Sequence, residues 1–317
     1  MEPPSEKMGQ IDLSVDMAGI HFENPFMLAS GILDETGGSM VDIAEHGASS
    51  VVTKSLSLEP RKGHPNPCIV EMEWCVLNAM GLPNPGIAEY GKEVKEYREK
   101  VKKPIIASVF GSSIEEYAGA AAAVRRLGVD AVEINGSCPN AAGLGLQFGQ
   151  DPDVVRELVK EVKGAAGIPV LFKLTPETGD ILSLAEGAKQ GGADGLVAVN
   201  TMRSMAVDIS TRRPLLTNVY GGLSGPALKP IGLRCVHEIY TELGDGIPII
   251  GVGGITTWED AVEYLLAGAL MVQIGTAVSY HGPSLFADLC SGLATYMEES
   301  GYSRIEDLRG SLRGCSR

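Results

Sequence analysis

The chain has 317 residues, 44% of them hydrophobic, and it carries 26 basic against 40 acidic residues, a formal net charge of -14. This length and composition allow a large buried core, either in one α/β barrel or in two domains. The excess of negative charge argues against a protein that binds the phosphate backbone of nucleic acids.

The six cysteines form no C-x-x-C pair and no cluster with histidine, which indicates reduced thiols rather than a metal site or a disulfide framework. Residues 1–10 are polar and contain proline, without the apolar core of a signal peptide, and we expect them to form a flexible leader. No apolar run approaches the length of a membrane span. We therefore expect a cytoplasmic protein that binds neither a metal nor a membrane.

After this leader, residues 11–25 alternate in polarity around Ala18 and Gly19, which predicts a β-hairpin at the bottom of the fold. Short and nearly continuous apolar runs follow along the chain, a pattern typical of parallel strands that are covered on both faces. There are eight such runs, at 25–30, 49–55, 104–110, 130–136, 169–174, 194–200, 248–254 and 270–276.

Amphipathic segments between these runs predict helices, with acidic residues early and basic residues or glycine late. Examples are 89–101, 113–128, 151–167 and 258–269. The alternation of strands and helices predicts an α/β fold, a (β/α)8 TIM barrel that takes up the whole chain, 1–317, as a single domain. The connection 201–226 is much longer than a usual strand-to-helix loop, so we expect it to have a functional role.

In such a barrel the ends of the strands face one shared mouth, where catalytic groups lie. The runs end in polar residues or glycine, and two of the ends contribute lysines, Lys54 and Lys173. A lysine inside a mouth is costly unless it meets an anionic group. The glycine-rich ends of the last two runs, at 253–254 and 275–276, let backbone N–H groups approach a phosphate. These ends indicate a phosphorylated ligand.

Several longer motifs then occur in the order in which one known family has them. They are TKSLSLEPR (53–61), NAMGLPNPG (78–86), NGSCPN (135–140), FKL (172–174), NT (200–201), GGLSGPALKP (221–230), GVGGI (251–255) and IGTA (274–277). On these motifs the chain resembles dihydroorotate dehydrogenase, and the resemblance runs from about residue 24 to beyond residue 276.

The resemblance implies an enzyme of pyrimidine (UMP) biosynthesis in which FMN lies at the barrel mouth and dihydroorotate is oxidised to orotate. It implies that Cys138 is the general base for the C5 proton, while C6 passes a hydride to flavin N5. A thiol with an ordinary pKa of about 8.5 is partly ionised near neutral pH, which suits a proton acceptor. A small buried hydrophobe is the alternative role for such a cysteine.

The resemblance also assigns ligand contacts, and asparagine suits the pyrimidine because its amide both donates and accepts hydrogen bonds. The implied substrate-binding residues are Lys54, Asn78, Met80, Gly81, Leu82, Asn135, Asn140, Asn200 and Thr201. The implied FMN-binding residues are Ala29, Ser30, Gly31, Lys54, Ser55, Asn135, Lys173, Gly222, Ser224, Gly253, Gly254, Gly275 and Thr276. Lys173 corresponds to the family lysine near the flavin N1–O2 edge, where positive charge stabilises the reduced ring.

Two positions depart from the family pattern. Ser108 stands where many relatives have asparagine, which leaves a flavin contact there open. Gly136 replaces a branched residue, and we expect this change to loosen the end of the strand.

The segments LEPR (58–61) and LPNPG (82–86) resemble the branch whose catalytic subunit pairs with an NAD-linked subunit that carries FAD and a [2Fe-2S] cluster. We expect a homodimer that can join such a partner in a heterotetramer, because the chain has neither iron–sulfur cysteine spacing nor a dinucleotide fingerprint. Two other functions stay open. One is a related FMN-dependent dehydrogenase of dihydropyrimidines, and the other is an aldolase or lyase that uses a barrel lysine as a Schiff base.

Overall fold

A computed structural model describes residues 11–136 and 149–313. Its centre is a closed barrel of eight parallel strands, which confirms the predicted barrel fold. Around the ring the strands are β3 (Phe26–Leu28), β4 (Ser50–Val52), β7 (Ile105–Val109), β8 (Ala131–Asn135), β9 (Val170–Leu174), β10 (Gly195–Ala198), β15 (Ile249–Val252) and β16 (Met271–Ile274).

Each predicted apolar run contains one barrel strand. All residues of these strands are buried, because helices cover the outside of the ring and side chains fill the inside. The register between neighbours places Asn135 of β8 beside Lys173 of β9. Likewise, Gln273 of β16 lies beside Val252 of β15. Asn135, Lys173 and Gln273 therefore all lie near the carboxyl ends of their strands.

The helices lie where the periodicity predicts them. A representative one, Pro152–Ala166, begins after Asp151, whose carboxylate accepts hydrogen bonds from two backbone N–H groups, and ends at Gly167 in a left-handed conformation. The described helices are Gly37–Glu45, Ile87–Lys100, Ile114–Arg125, Pro152–Ala166, Ile181–Gln190, Lys229–Leu243, Trp258–Leu266, Thr276–His281, Leu285–Ser300 and Ile305–Leu308, with 3-10 turns at Pro226–Leu228 and Gly244–Gly246.

The predicted N-terminal hairpin is present. Strands β1 (Val15–Met17) and β2 (Ile20–Phe22) pair antiparallel through Ala18 and Gly19, which both have positive φ, at 54° and 78°. The hairpin leads directly into the first barrel strand at its N-terminal end, the bottom of the barrel.

A second sheet lies over the mouth and is called the mouth sheet below. Its strands, in spatial order, are β11 (Met202–Ser204), β14 (Gly221–Ser224), β6 (Val76–Asn78) and β5 (Ile69–Glu71). The long connection 201–226 thus contributes two strands to this sheet and also forms a small ribbon, β12 (Val207–Asp208) with β13 (Arg213–Pro214). Pairing of Gly222 with Asn78 joins two motifs that are far apart in sequence.

Over residues 11–136 and 149–313, the structure contains no helix with the length and apolar character needed to cross a lipid bilayer.

Candidate active site at the barrel mouth

A cavity of about 800 Å³ opens where the barrel strands end, and the mouth sheet forms one of its walls. Every predicted ligand-contacting residue within the described part of the chain lines it. These residues are Ala29, Ser30, Gly31, Lys54, Ser55, Asn78, Met80, Gly81, Leu82, Asn135, Lys173, Asn200, Thr201, Gly222, Ser224, Gly253, Gly254, Gly275 and Thr276. Cys138 and Asn140 lie outside the described residues.

A chain of hydrogen bonds fixes the orientation of two asparagine amides. The backbone N–H of Thr201 donates to Asn200 Oδ1 at 2.8 Å, so the NH₂ group of Asn200 must point the other way. That group donates to Asn135 Oδ1 at 3.1 Å, and Asn135 Nδ2 then donates to Ser55 Oγ at 3.1 Å. Residues at the ends of β4, β8 and β10, together with Thr201 of the connection to the mouth sheet, thereby hold the two amide groups at the cavity in one defined arrangement.

Ser108 stabilises this series of hydrogen bonds from outside the cavity. It is fully buried and lies outside the cavity wall, and its hydroxyl is 2.8 Å from Ser55 Oγ. The Ser108 hydroxyl therefore pairs with Ser55 and does not line the cavity. It still affects the site by fixing the hydroxyl that accepts from Asn135.

Gly136 is closely packed at the end of β8, where the sequence led us to expect a looser strand end. A Cβ on Gly136 would lie 2.7 Å from the ring of Phe172, so the neighbouring ring already occupies that space. The hydroxyl of Tyr117 also donates to the carbonyl of Asn135 at 2.8 Å. Close packing thus holds the strand end that carries Asn135.

Lys54 lies at one side of the cavity beside two carboxylates. Its Nζ is 3.3 Å from Glu35 Oε1, and the side chain is only 13% exposed. Asp34, fully buried nearby, accepts a hydrogen bond from the backbone N–H of Gly31 at 2.5 Å. Burial raises the pKa of Asp34 to about 6, and the positive charge of Lys54 offsets only part of this effect. The region around Lys54 therefore holds more acidic groups than the sequence predicted.

Lys173 forms the floor of the cavity together with two residues that the sequence interpretation did not assign to the site, Glu133 and Gln273. Lys173 Nζ is 3.4 Å from Glu133 Oε1 and donates to Gln273 Oε1 at 3.1 Å. All three side chains line the cavity. The sequence did offer a signal for Glu133, because it is a charged residue inside an apolar strand. It lies two positions before Asn135 and thus on the same side of β8.

The glycine-rich ends of β15 and β16 approach the cavity closely. A Cβ on Gly254, which has φ of +70°, would lie 2.7 Å from the backbone nitrogen of Lys229. Only glycine fits this position without displacing the backbone at the start of the preceding helix, Lys229–Leu243. At these glycines, backbone groups rather than side chains line the cavity.

Comparison with known proteins agrees with these features. The family model described as dihydroorotate dehydrogenase matches residues 12–297. The chain belongs to the dihydroorotate dehydrogenase family. Enzymes of this family are flavin-dependent oxidoreductases, so the chain is an oxidoreductase and the aldolase or lyase alternative is wrong.

Curated relatives of similar length extend the match over nearly the whole chain. A protein of Thermoplasma acidophilum is 48% identical over 299 residues, which cover 94% of this chain and 98% of the relative. One of Pyrococcus furiosus is 48% identical over 300 residues, 95% and 98% of the two chains, and one of Methanocaldococcus jannaschii is 45% identical over 306 residues, 96% and 99%. Each is named dihydroorotate dehydrogenase B (NAD(+)), catalytic subunit. The predicted resemblance to the B branch is thereby confirmed.

Proposed function

We propose that this protein oxidises dihydroorotate to orotate at an FMN bound in the barrel mouth, with Cys138 as the general base for the C5 proton. The observation that carries the proposal is the convergence of the predicted contacts on one cavity in a chain of this family. Sequence motifs separated by as many as 247 positions, from Ala29 to Thr276, meet there. A barrel with a purely structural role has no need of such a ring of polar groups.

The cavity fits FMN in size and in chemistry. Its volume of about 800 Å³ lies within the range of roughly 300–1,000 Å³ that is typical of small-molecule sites. Backbone around Gly253, Gly254 and Gly275 suits a phosphate, since no side chain stands between it and the cavity. Lys173 offers a positive charge at the buried floor of the cavity. FMN bound here supplies the two-electron acceptor for the substrate.

The protein's own residues then bind the substrate and handle its proton. The amides of Asn135 and Asn200, held in fixed orientations, offer donors and acceptors to the ring of dihydroorotate, and Asn78 offers another from the mouth sheet. Backbone groups of Met80, Gly81 and Leu82 bind near the carboxylate. The thiolate of Cys138 takes the C5 proton, a role that a partly ionised thiol can fill near neutral pH.

The proposal extends to partners and location. The relatives are named as catalytic subunits, which supports a second, electron-transferring subunit. For this chain we propose a homodimer that joins an NAD-linked subunit carrying FAD and a [2Fe-2S] cluster, in the cytoplasm. Residues 1–317 would then form one domain, of which the leader 1–10 lies outside the described residues.

Anaerobic reduction of the purified protein tests this function. We expect the protein to carry FMN, identified after extraction, and the flavin to lose its visible absorbance on addition of dihydroorotate but not of dihydrouracil. Faster bleaching by dihydrouracil would favour the related dihydropyrimidine dehydrogenase instead. A colourless protein that does not take up FMN would contradict the proposal altogether.

A further inference from the structure

The floor of the cavity contains a buried acid that the proposed reaction does not use. Glu133 is fully buried, in the middle of β8 between Val132 and Ile134. A carboxylate in such a place costs several kcal/mol unless other groups compensate its charge. The groups that compensate it are therefore informative about its role.

The compensation comes from a closed triangle of side chains. Gln273 Nε2 donates to Glu133 Oε2 at 2.6 Å, and Lys173 Nζ donates to Gln273 Oε1 at 3.1 Å. Lys173 Nζ also lies 3.4 Å from Glu133 Oε1, an oxygen that accepts no hydrogen bond from any described residue. A lysine can only donate, so it fixes the amide oxygen of Gln273 on its own side and turns the NH₂ group toward the acid.

The strand register shows which member of this triangle lies nearer the mouth of the barrel. Lys173 is level with Asn135 at the end of β8, whereas Glu133 is level with Leu171, two residues deeper in the barrel. The lysine thus faces the ligand cavity with the acid below it. A ligand over the floor meets a positive charge whose field is reduced by a negative charge further away.

We propose that Glu133, held by Gln273, is a positioning residue that anchors Lys173 and limits how strongly its charge favours the reduced flavin. This inference rests on the proposed function, because it concerns the flavin at the same site. Without Glu133, the charge of Lys173 would act on the flavin uncompensated and would stabilise the reduced ring more.

Redox equilibration of the FMN-loaded protein with a reference dye tests the proposal. In Glu133→Gln, the ratio of reduced to oxidised flavin should rise at least threefold at a fixed dye potential, which is about 14 mV for a two-electron couple. In Lys173→Met the ratio should fall, and the double variant should lie between the two single variants. A change below threefold in Glu133→Gln, or one in the opposite direction, would overturn the proposal.

Two further variants separate charge from packing. Glu133→Asp keeps the charge, so its flavin ratio should stay closer to wild type than that of Glu133→Gln, even if the protein unfolds more easily. Asp194→Asn is the matched control, because Asp194 accepts from the backbone N–H of Val170 at 2.6 Å at the start of β9, at the other end of the barrel. It should leave the ratio unchanged. Equal shifts in Glu133→Asp and Glu133→Gln would contradict a role for the charge.

The anchoring can also be measured without flavin. In urea unfolding of the flavin-free protein, Glu133→Gln and Lys173→Met should each lower the midpoint, and the double variant should lose less than the sum of the two losses. Additive losses would overturn the anchoring. Failure of the proposed function would appear separately, as wild-type protein whose flavin is not bleached by dihydroorotate.

Discussion

Cys138 is the residue whose replacement tests the proposed chemistry most directly. Cys138→Ala should keep its FMN and slow the reduction of flavin by dihydroorotate by roughly 10²–10⁴-fold, the usual effect of losing an acid–base group. Stopped-flow absorbance of the bound flavin at neutral pH measures this rate.

Cys290 offers a matched control for that experiment. It lies in the outer helix Leu285–Ser300, and burial raises the pKa of its thiol to about 11, so it stays protonated near neutral pH. Cys290→Ala should reduce flavin at the wild-type rate. If Cys138→Ala did the same, cysteine would have no part in the mechanism.

At the level of single residues, the sequence identified the residues at strand ends that line the cavity, but not the lining residues inside the strands. Lys54, Asn135 and Lys173 stand at strand ends, where polar residues suggest a mouth. Glu133 and Gln273 stand inside apolar runs, and only the ring geometry shows that their side chains meet Lys173 in the middle of the barrel. The contacts of Gln273 depend on how β16 lies relative to β8 and β9, two strands with which it does not pair, and one sequence does not specify that position.

Among the elements, the turn after β15 depends on Gly254, which backbone atoms of Gly225 and Lys229 approach closely. Gly254→Ala would place a Cβ 2.7 Å from the nitrogen of Lys229 and 2.8 Å from the carbonyl oxygen of Gly225, in a left-handed conformation that alanine disfavours. We expect a loss of roughly 1–3 kcal/mol in the free energy of unfolding, since backbone strain of this kind costs about that much. Weaker retention of FMN should accompany it, measured by filtration of the loaded protein.

Gly164→Ala is the comparison for this element. Gly164 is exposed on the helix Pro152–Ala166, with no atom within 4 Å of the place where a Cβ would lie. Alanine there should raise the free energy of unfolding by about 0.5–1 kcal/mol. Equal effects of the two changes would mean that glycine at 254 is not required for packing.

Elements with strong local patterns were predictable, and those set by long-range pairing were not. The apolar runs and the capped helices carry their own signals, as Asp151 and Gly167 show at the two ends of one helix. The mouth sheet consists of strands of three or four residues, and its central pairing, Asn78 with Gly222, joins positions far apart in sequence. Its register follows from the fold around it rather than from local propensity.

For the whole molecule, the buried Asp34 links stability to pH. Its folded pKa of about 6 lies above the ordinary value of 3.8, so the folded protein holds a proton there that the unfolded chain releases. The contribution of Asp34 to stability is therefore full below about pH 4 and is lost as the pH rises through about 6. The difference between these pKa values corresponds to ~3 kcal/mol.

Asp34→Asn should remove this contribution. Urea unfolding between pH 5 and pH 7 measures it: the wild-type protein should lose more stability over this interval than the variant does. The quantity to compare is the slope of the free energy of unfolding against pH in the two proteins. This comparison cancels the contribution of the many surface carboxylates, as well as any fixed cost of placing an amide beside Gly31. Parallel slopes would contradict the raised pKa of Asp34.

The architecture as a whole followed from counting strand–helix units, because eight parallel strands close into a ring with little freedom in their order. That ring closes where β16 pairs with β3, with Val272 beside Phe26. During synthesis on the ribosome, β3 therefore cannot pair with β16 until this last strand has been made. One edge of β3 stays unpaired for most of translation. Nascent chains stalled before residue 270 should depend on chaperones far more than the finished polypeptide does.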